Sequence, residues 1–277
     1  DLNFDLDAMV DAVAIHNDGL PDPELVCIFG EPGSGKTTAA ASLIELPDVQ
    51  NILFFDTEGS AMSVSDPRIT VVPVHKLAPK SGGKPLKHGK FQFMQQMLHG
   101  TDDKPGYLRP GVLAESKFDA IVVDTFGELH EWAVSYFQDT EADGFKAWDA
   151  VWRWHRDTIK GLKAADGPAV ITVHGREEKL PSGAIVSKLD FSGGAKNKSA
   201  ATPDIVSRLV RRIDDNGDPV TVWEFVGDGN SPVKSRYEKY GIVGAIEGCS
   251  LAWIYEEIRA GRAAEQAARK AEDDDDE

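Results

Sequence analysis

Residues 30–37, GEPGSGKT, are the feature that most constrains the fold of this chain. They match the pattern G-x-x-x-x-G-K-[ST], in which glycines let the backbone curl so that its N–H groups point at phosphate oxygens. The apolar run LVCIF before the motif predicts a buried strand, and KTTAAASLIEL after it predicts a helix. The motif requires these two flanks, so we predict a phosphate-binding loop.

The motif also predicts a role for each of its residues. Lys36 is expected to reach the β- and γ-phosphates of a nucleotide, and the hydroxyl of Thr37 is expected to hold Mg²⁺. The predicted nucleotide contacts are Gly30, Glu31, Pro32, Gly33, Ser34, Gly35, Lys36, Thr37 and Thr38.

Further apolar runs predict short buried strands, and helical patterns separate most of them. Buried strands that alternate with helices are typical of parallel sheets, so we predict an α/β fold with a doubly wound, largely parallel sheet and helices on both faces. The last three runs predict an antiparallel C-terminal edge. The predicted strands after the first are residues 51–55, 69–74, 119–123, 169–173, 205–213, 219–226 and 233–237.

These patterns divide the chain into four parts. Residues 1–24 are an acidic N-terminal extension with an amphipathic helix predicted over 5–16. Residues 25–245 form the core, residues 246–271 a C-terminal helix, and residues 272–277 an acidic tail.

The formal net charge of −16 is concentrated at the two ends of the chain. Residues 1–24 hold seven acids and no lysine or arginine, and residues 272–277 are all acidic. Residues 25–271 therefore carry a net charge of only −3. A strongly acidic protein is expected to avoid nucleic acid, but this distribution leaves the central part able to bind it.

Composition excludes several classes of protein. No apolar run approaches the roughly 20 residues that a membrane helix needs, and no signal-peptide pattern opens the sequence, so we expect a cytoplasmic protein without a membrane partner. Cys27 and Cys249 each lie among apolar neighbours, which is typical of buried thiols in a reducing compartment. Two cysteines exclude a disulfide scaffold and a cysteine-based zinc site.

Two acids at strand ends are candidates for the chemistry beyond the phosphate loop. Asp124 ends the run DAIVV, where a carboxylate would give Mg²⁺ a second contact; helix capping is the alternative role. Because Thr125 follows, and not a glutamate, the carboxylate that orients a water is expected elsewhere. Glu58, directly after the second strand, is the candidate. Asp56 is its competitor, and a plain turn acid is the alternative interpretation.

These motifs together resemble the RecA superfamily of ATPases. The resemblance rests on GEPGSGKT, on a strand ending in Asp-Thr-Glu at 56–58, on IVVDT, and on a later strand that ends in a polar residue. It covers roughly residues 25–240 and is closest to the short RecA-like ATPases of bacteriophages that assist single-strand annealing and recombination. It implies ATP and Mg²⁺ as ligands, a homo-oligomeric ring or filament with ATP at subunit interfaces, and the cytoplasm of a bacterial host.

The resemblance also implies roles for three further residues. His174 ends a strand where RecA has a glutamine that senses the γ-phosphate, and a histidine there would add sensitivity to pH. Lys234 and Arg236 resemble the Lys-x-Arg finger that reaches the ATP of a neighbouring subunit, and residues two apart on a strand point the same way. A satisfied strand-end histidine and a solvated basic edge strand are the structural alternatives.

The connection after His174 matches the second DNA-binding loop of RecA in position. Its cations exceed its acids, and its glycines would let the backbone approach a phosphate strand. The predicted contacts to single-stranded DNA are Arg176, Lys179, Lys188, Lys196 and Lys198.

The helix predicted over 145–162 interleaves aromatic and basic residues, a composition that can stack nucleobases. Most of its large side chains share one helical face, however, which favours core packing. The residues on that face are Phe145, Trp148, Trp152, His155, Ile159 and Leu162. Only Trp154, off that face, remains a candidate for DNA contact.

Two charged segments have two interpretations each. Residues 75–90 carry five lysines and no acid, and they either contact a nucleic-acid backbone or form a surface loop. The acidic tail at 272–277 is either a solvated terminus or a segment that competes with DNA for basic loops and recruits other recombination or replication proteins.

The sequence therefore predicts a Mg²⁺-dependent ATPase that binds single-stranded DNA and acts in phage-type recombination or annealing. The predicted catalytic residues are Lys36, Glu58, His174, Lys234 and Arg236. A ring-helicase motor shares all of these parts and is the first alternative. An ATP-driven switch or assembly protein without a nucleic-acid partner is the second, and the overall acidity favours it.

Overall fold

The computed structural model of this chain describes residues 22–183, 185–193, 199–225 and 231–275. The helix predicted over 5–16 and two of the predicted DNA contacts, Lys196 and Lys198, lie outside this part of the chain. Within it, two hydrophobic cores lie on the two faces of one mixed β-sheet.

The strands and helices follow the apolar runs of the sequence. The strands are β1 (Leu25–Gly30), β2 (Ile52–Asp56), β3 (Ile69–Pro73), β4 (Lys80–Ser81), β5 (Lys84–Pro85), β6 (Ala120–Asp124), β7 (Ala169–Lys179), β8 (Ile185–Leu189), β9 (Ile205–Ile213), β10 (Pro219–Glu224), β11 (Lys234–Ser235) and β12 (Ala245–Glu247). The helices are α1 (Lys36–Ala41), α2 (Gly89–His99), α3 (Phe126–Thr140), α4 (Gly144–Lys163) and α5 (Leu251–Asp275). Short 3₁₀ turns lie at Ser42–Glu45, Ser60–Ser63, Val74–Lys76, Ser199–Ala201 and Glu238–Tyr240.

The main sheet has the strand order β12–β10–β9–β1–β7–β6–β2–β3. Every pair from β9 to β3 is parallel, which confirms the predicted α/β fold with a doubly wound, largely parallel sheet. The antiparallel edge consists of β10 and β12. It begins one strand later than predicted, because β9 pairs in parallel with β1 and places Ile205 opposite Val26. The run at 233–237 contributes only the two-residue β11.

Helices cover both faces of β1, so the strand is buried throughout and its residues alternate between the two cores. Leu25, Cys27 and Phe29 pack into the core that includes side chains of α2, α3 and α4. Val26 and Ile28 pack into the core that includes side chains of α1 and α5. Burial raises the pKa of the Cys27 thiol to about 12, so this thiol stays uncharged.

β7 continues beyond the predicted end at residue 173 and reaches Lys179. Its outer half pairs antiparallel with β8, so that Gly175 lies opposite Leu189. This pairing satisfies backbone groups that an open loop would leave to water, and it lets Leu189 bury its side chain. The first half of the predicted polar connection is therefore a β-hairpin that continues directly from a core strand.

The buried face of α4 differs from the predicted one at its aromatic residues. Phe145 is 83% exposed and Trp148 is 39% exposed, because the first turn of the helix buries Ala147 instead. Trp154 is buried, and its Nε1 donates to Gln95 Oε1 at 2.6 Å. The prediction of Trp154 as a DNA contact is therefore wrong. The helical period is as predicted, but Ala147 packs in the first turn where the sequence predicts Phe145 and Trp148.

The helix α5 includes residues 272–275, which were predicted to begin the acidic tail. Leu251, Ile254 and Ile258 bury its apolar side against the sheet. No helix in the described part of the chain is long and apolar enough to cross a membrane.

A chain of polar groups runs through the core between α3, α4 and the segment after β8. His130 Nε2 lies 3.2 Å from the carbonyl oxygen of Ser192, and its Nδ1 lies 3.0 Å from His155 Nδ1. His155 Nε2 lies 2.7 Å from the hydroxyl of Ser199. A carbonyl oxygen only accepts, so His130 carries its proton on Nε2 and accepts at Nδ1 from His155. Two neutral imidazoles thus hold Ser192 and Ser199, which flank residues 194–198.

We expect this pair of imidazoles to make the fold sensitive to acid. Burial lowers the pKa of His155 to about 3 and also lowers that of His130, whereas both would bind protons near pH 6.5 in the unfolded chain. Their stabilising effect is therefore full above about pH 6.5 and is lost as the pH falls toward 3. For His155 the loss is at most ~1.4 kcal/mol per pH unit.

The free energy of unfolding in urea, measured at about pH 7.5 and about pH 5, tests this expectation. His155→Gln removes the titrating group while keeping a polar side chain, so its unfolding free energy should change less between the two conditions. An equal change in the two proteins would contradict the role of His155.

Candidate nucleotide-binding site

The loop after β1 has a backbone suited to a phosphate cradle. Gly33 and Gly35 have φ angles of 80° and 96°, in the left-handed region that residues with a Cβ rarely adopt. Ser34 Oγ is buried and has no hydrogen-bond partner among the described residues. A curled loop with an unused polar group fits a phosphate ligand.

Lys36 begins α1 and is buried beside the loop. Its ammonium group donates to the carbonyl oxygens of Gly30 at 2.9 Å and of Glu31 at 2.8 Å. Burial lowers the pKa of Lys36, and the nearby carboxylates of Asp124 and Glu58 oppose that shift. The lysine is therefore held over the loop, where phosphate oxygens are expected.

Asp124 ends β6, and its buried carboxylate collects hydroxyl donors from three elements. Its Oδ2 accepts from Thr37 Oγ1 at 2.8 Å and from Ser60 Oγ at 2.5 Å, and its Oδ1 accepts from Thr172 Oγ1. Carboxylate and hydroxyl oxygens are the hard ligands that Mg²⁺ prefers, so Thr37 and Asp124 fit this ion. The helix-capping alternative for Asp124 is wrong, because the side chain of Thr125 caps α3.

Asp56, the competitor of Glu58, has a structural role. Its Oδ1 accepts from the backbone N–H groups of Glu58, Gly59 and Ser60 at 3.3, 2.7 and 3.1 Å. Its side chain is almost fully buried in that turn. Asp56 therefore shapes the turn from which Glu58 and Ser60 reach the site.

The carboxylate of Glu58 is held by two side chains. Thr125 Oγ1 donates to Glu58 Oε1 at 2.9 Å, and His174 Nε2 lies 3.0 and 2.9 Å from the two carboxylate oxygens. The hydrogen bond from His174 lowers the pKa of Glu58, with a smaller contribution from Thr125. His174 is close because β7 pairs with β1 and places this residue opposite Gly30.

A cavity of about 410 Å³ unites these groups. Its lining includes Pro32, Gly33, Gly35, Lys36, Thr37, Thr38, Glu58, Ser60, Ser63, Asp124, Thr125, His174 and Arg211. Most of the predicted nucleotide and metal contacts thus come together with Glu58 and His174. Ser60 and Arg211 were not predicted from the sequence.

Arg211 differs from the other arginines of β9 in its surroundings. Arg208 lies 3.2 Å from Glu177 and 3.7 Å from Glu224, and Arg212 lies 2.6 Å from Glu224. Arg211 makes no ion pair within the described residues, and it also lines a second cavity of about 250 Å³ beside the loop. The alternation of the strand IVSRLVRRI was the signal that could have separated Arg211 from its neighbours.

Lys234 and Arg236 are not part of the cavity lining given for the phosphate loop of their own chain. Arg236 Nη1 lies 3.1 Å from Asp204 Oδ1, and Lys234 Nζ donates to the carbonyl oxygen of Ala201 at 2.7 Å. Asp204 also accepts from the N–H of Leu25, at the amino end of β1, whereas the loop follows its carboxyl end. Burial lowers the pKa of Lys234 to about 8, and the charge of Arg236 adds to this shift.

The predicted DNA contacts within the described residues lie on the β7–β8 hairpin and are largely paired with acids. Arg176 lies 3.9 Å from Glu178 and 3.6 Å from Asp190, and Lys188 donates to Glu178 at 2.8 Å. Lys179 is exposed at the end of β7. The expected positive excess is therefore absent from the described part of the hairpin, and it depends on Lys196 and Lys198.

One of three comparisons with known proteins assigns this chain to a family. Among solved structures it is similar to a chain titled "Crystal structure of the RadB recombinase", with 15% sequence identity and a TM-score of 0.38 over 79% of this chain and 85% of that chain. No curated protein matches the sequence. The family model AAA_24, described as an AAA domain, matches residues 23–237, which include the phosphate loop and every residue of the cavity. The chain therefore belongs to the AAA_24 family of AAA domains.

Proposed function

We propose that this chain is a RecA-type ATPase in which Glu58 orients the attacking water. The observation that carries the proposal is that the carboxylate of Glu58 shares one cavity with Lys36, Thr37 and Asp124. Phosphoryl transfer needs a cradle for the phosphates, oxygen ligands for a metal, and a group that positions the nucleophile. Glu58, the group that positions the nucleophile, comes directly after β2 and does not neighbour Asp124 in the sequence. This arrangement supports the resemblance to the RecA superfamily.

Lys36 binds the β- and γ-phosphates in this proposal, and it exchanges the carbonyl oxygens of Gly30 and Glu31 for phosphate oxygens. Thr37 and Asp124 hold Mg²⁺, which neutralises charge on the phosphate oxygens when it is bound. The hydroxyl of Ser60 donates to the same carboxylate oxygen as Thr37 and keeps Asp124 oriented.

Glu58 accepts a hydrogen bond from the water that attacks the γ-phosphate. His174 lowers the pKa of this carboxyl group, so it is ionised near neutral pH and ready to accept. Thr125 and His174 fix the orientation of the carboxylate. Since His174 bonds Glu58, it acts in this mechanism as a positioning residue that links the site to β7.

Glu58→Gln should lower the rate of ATP hydrolysis by about 10²–10⁴-fold, because the amide is a poorer acceptor for a water proton. ATP binding should persist in this variant, whereas Lys36→Ala should lose binding. Steady-state hydrolysis and equilibrium binding of a fluorescent ATP analogue measure the two effects. Glu115→Gln, an exposed change of the same kind, is the control. Hydrolysis that survives in Glu58→Gln would assign the water to another group.

We further propose that Arg211 binds a phosphate group of the nucleotide held by the same subunit. Arg211→Gln should then weaken ATP binding or slow hydrolysis by about tenfold or more, since a hydrogen bond to a charged group contributes ~1.5–3 kcal/mol. Arg212→Gln is a matched control, because Arg212 lies on the same strand but pairs with Glu224. Equal effects of the two substitutions would contradict a direct role for Arg211.

We propose single-stranded DNA as the partner that this ATPase senses, in recombination or annealing. The support is the continuity of β7, which carries His174 at the nucleotide site and then forms the hairpin. Lys196 and Lys198 follow the hairpin and supply the positive charge that its described residues lack. A switch or assembly protein without nucleic acid is the second candidate, and the ion pairs of Arg176 and Lys188 favour it.

Addition of single-stranded DNA should stimulate ATP hydrolysis, and the stimulation should weaken as salt rises, because phosphate contacts release counterions. Replacing both Lys196 and Lys198 by alanine should abolish it, while replacing the exposed Lys104 and Lys160 should not. A rate that ignores DNA at low salt would favour the switch or assembly protein. Strand-displacement and annealing assays then separate a motor from an annealing protein.

The proposed assembly is a homo-oligomeric ring or filament with ATP at the subunit interface. Arg236 lies beside Asp204 near the amino end of β1 and Lys234 lies level with Cys27, so as a finger they would reach the nucleotide of a neighbouring subunit. Their charges would then stabilise the negative charge that develops on the phosphates.

A further inference from the structure

The lysine-rich insert builds one wall of an apolar groove. A cavity of about 530 Å³ lies between the β4–β5 segment and the helices α2 and α3. Its lining includes Pro79, Leu86, Phe93, Tyr136 and Phe137. Leu86 is 39% exposed at its edge, although it is a large hydrophobic residue. The groove is separate from the nucleotide site, because the two cavities have no lining residue in common.

The rim of this groove is positively charged. Residues 75–90 contain five lysines and no acid. Lys80 and Lys84 are exposed on β4 and β5, and neither forms an ion pair with any described residue. Lys87 pairs with Asp139, the acid of α3 nearest to the rim. An apolar groove with unpaired lysines fits a partner that is both apolar and acidic.

The N-terminal segment of this chain has that composition. Residues 4–13, FDLDAMVDAV, hold Phe4, Leu6, Met9, Val10 and Val13 together with three aspartates. Leu6, Met9, Val10 and Val13 fall at helical spacing, and residues 1–24 contain no lysine or arginine. An amphipathic helix that binds an apolar groove through residues at this spacing is a common mode of recognition.

We propose that the acidic amphipathic segment at residues 4–16 of one copy of this chain binds the lysine-rimmed groove of a second copy. The aspartates would lie along Lys80 and Lys84, and the apolar residues would cover Leu86 and Phe93. This interface extends the self-association included in the proposed function, but it does not depend on ATP hydrolysis.

The position of Asp22 favours a second copy over the same chain. Asp22 is bound by Arg259 and Arg262 of α5, on the face of the sheet opposite the helices that form the groove. It adjoins the amino end of β1, whereas Pro79 and Leu86 of the groove follow the carboxyl end of β3. The six steps from residue 16 to Asp22 reach at most ~22 Å, whereas a path to the groove must cover the ~20 Å of a strand such as β1 and also pass from one face of the sheet to the other. A segment that ends at residue 16 therefore does not reach the groove of its own chain.

Sedimentation velocity of the full chain, without nucleotide, tests the charge complementarity. Lys80→Glu with Lys84→Glu should raise the dissociation constant for self-association by tenfold or more, and the effect should diminish at high salt. Adding Asp7→Lys and Asp11→Lys to that variant should restore association. Lys104→Glu with Lys160→Glu makes the same change in net charge at exposed sites outside the groove, and it should have a much smaller effect.

A mixing experiment separates a second copy from the same chain. Leu86→Asp disrupts the groove, and Met9→Asp with Val10→Asp disrupts the segment, so each variant alone should be predominantly monomeric. Mixed in equal amounts they should form a 1:1 dimer, because each supplies the part that the other lacks. Three results would overturn the proposal. The mixture could stay monomeric, the full chain could fail to self-associate, or Lys80→Glu with Lys84→Glu could behave like the charge control.

Glu58→Gln should associate normally, so a failure of this proposal is distinguishable from a failure of the ATPase mechanism.

Discussion

The buried carboxylate of Asp124 is the interaction on which the nucleotide site depends. A buried charge is unfavourable unless hydrogen bonds replace its water, and here three hydroxyl groups do so. They come from Thr37 at the start of α1, Ser60 after β2, and Thr172 on β7. The hydrogen bonds to this one carboxylate therefore hold three elements in place relative to one another: the phosphate loop, the turn that carries Glu58, and the central strand β7.

The sequence predicts the centre of this site well, for a geometric reason. Lys36, Asp124 and Glu58 each follow or end an apolar strand, and the carboxyl ends of parallel strands meet at one edge of a sheet. Local patterns were therefore enough to bring them together. Ser60 and Arg211 were missed because each reaches the cavity through tertiary placement. For Arg211 the decisive fact was that β9 lies beside β1, whereas the sequence placed it in an antiparallel edge.

The incorrect predictions rest on the size or the charge of single side chains and leave out the residues that pack against them or pair with them. In α4 the packing of Ala147 decided which face is buried, so Phe145 became exposed and Trp154 entered the core. On the hairpin the cations were counted correctly, but Arg176 and Lys188 are paired with acids on or beside the same two strands. Sequence counts give the amount of charge, and only the register of the strands shows how much of it is neutralised.

The two hydrogen bonds from Lys36 to its own loop have a consequence for affinity. The carbonyl oxygens of Gly30 and Glu31 accept these hydrogen bonds from the ammonium group. An ammonium group has three N–H donors, so one remains for a triphosphate, and any further phosphate oxygen must compete with a carbonyl of the loop. The measured affinity for ATP then reflects the difference between phosphate oxygens and loop carbonyl oxygens as partners of Lys36. Stronger hydrogen bonds to the carbonyls would weaken ATP binding even if the phosphate contacts stayed the same.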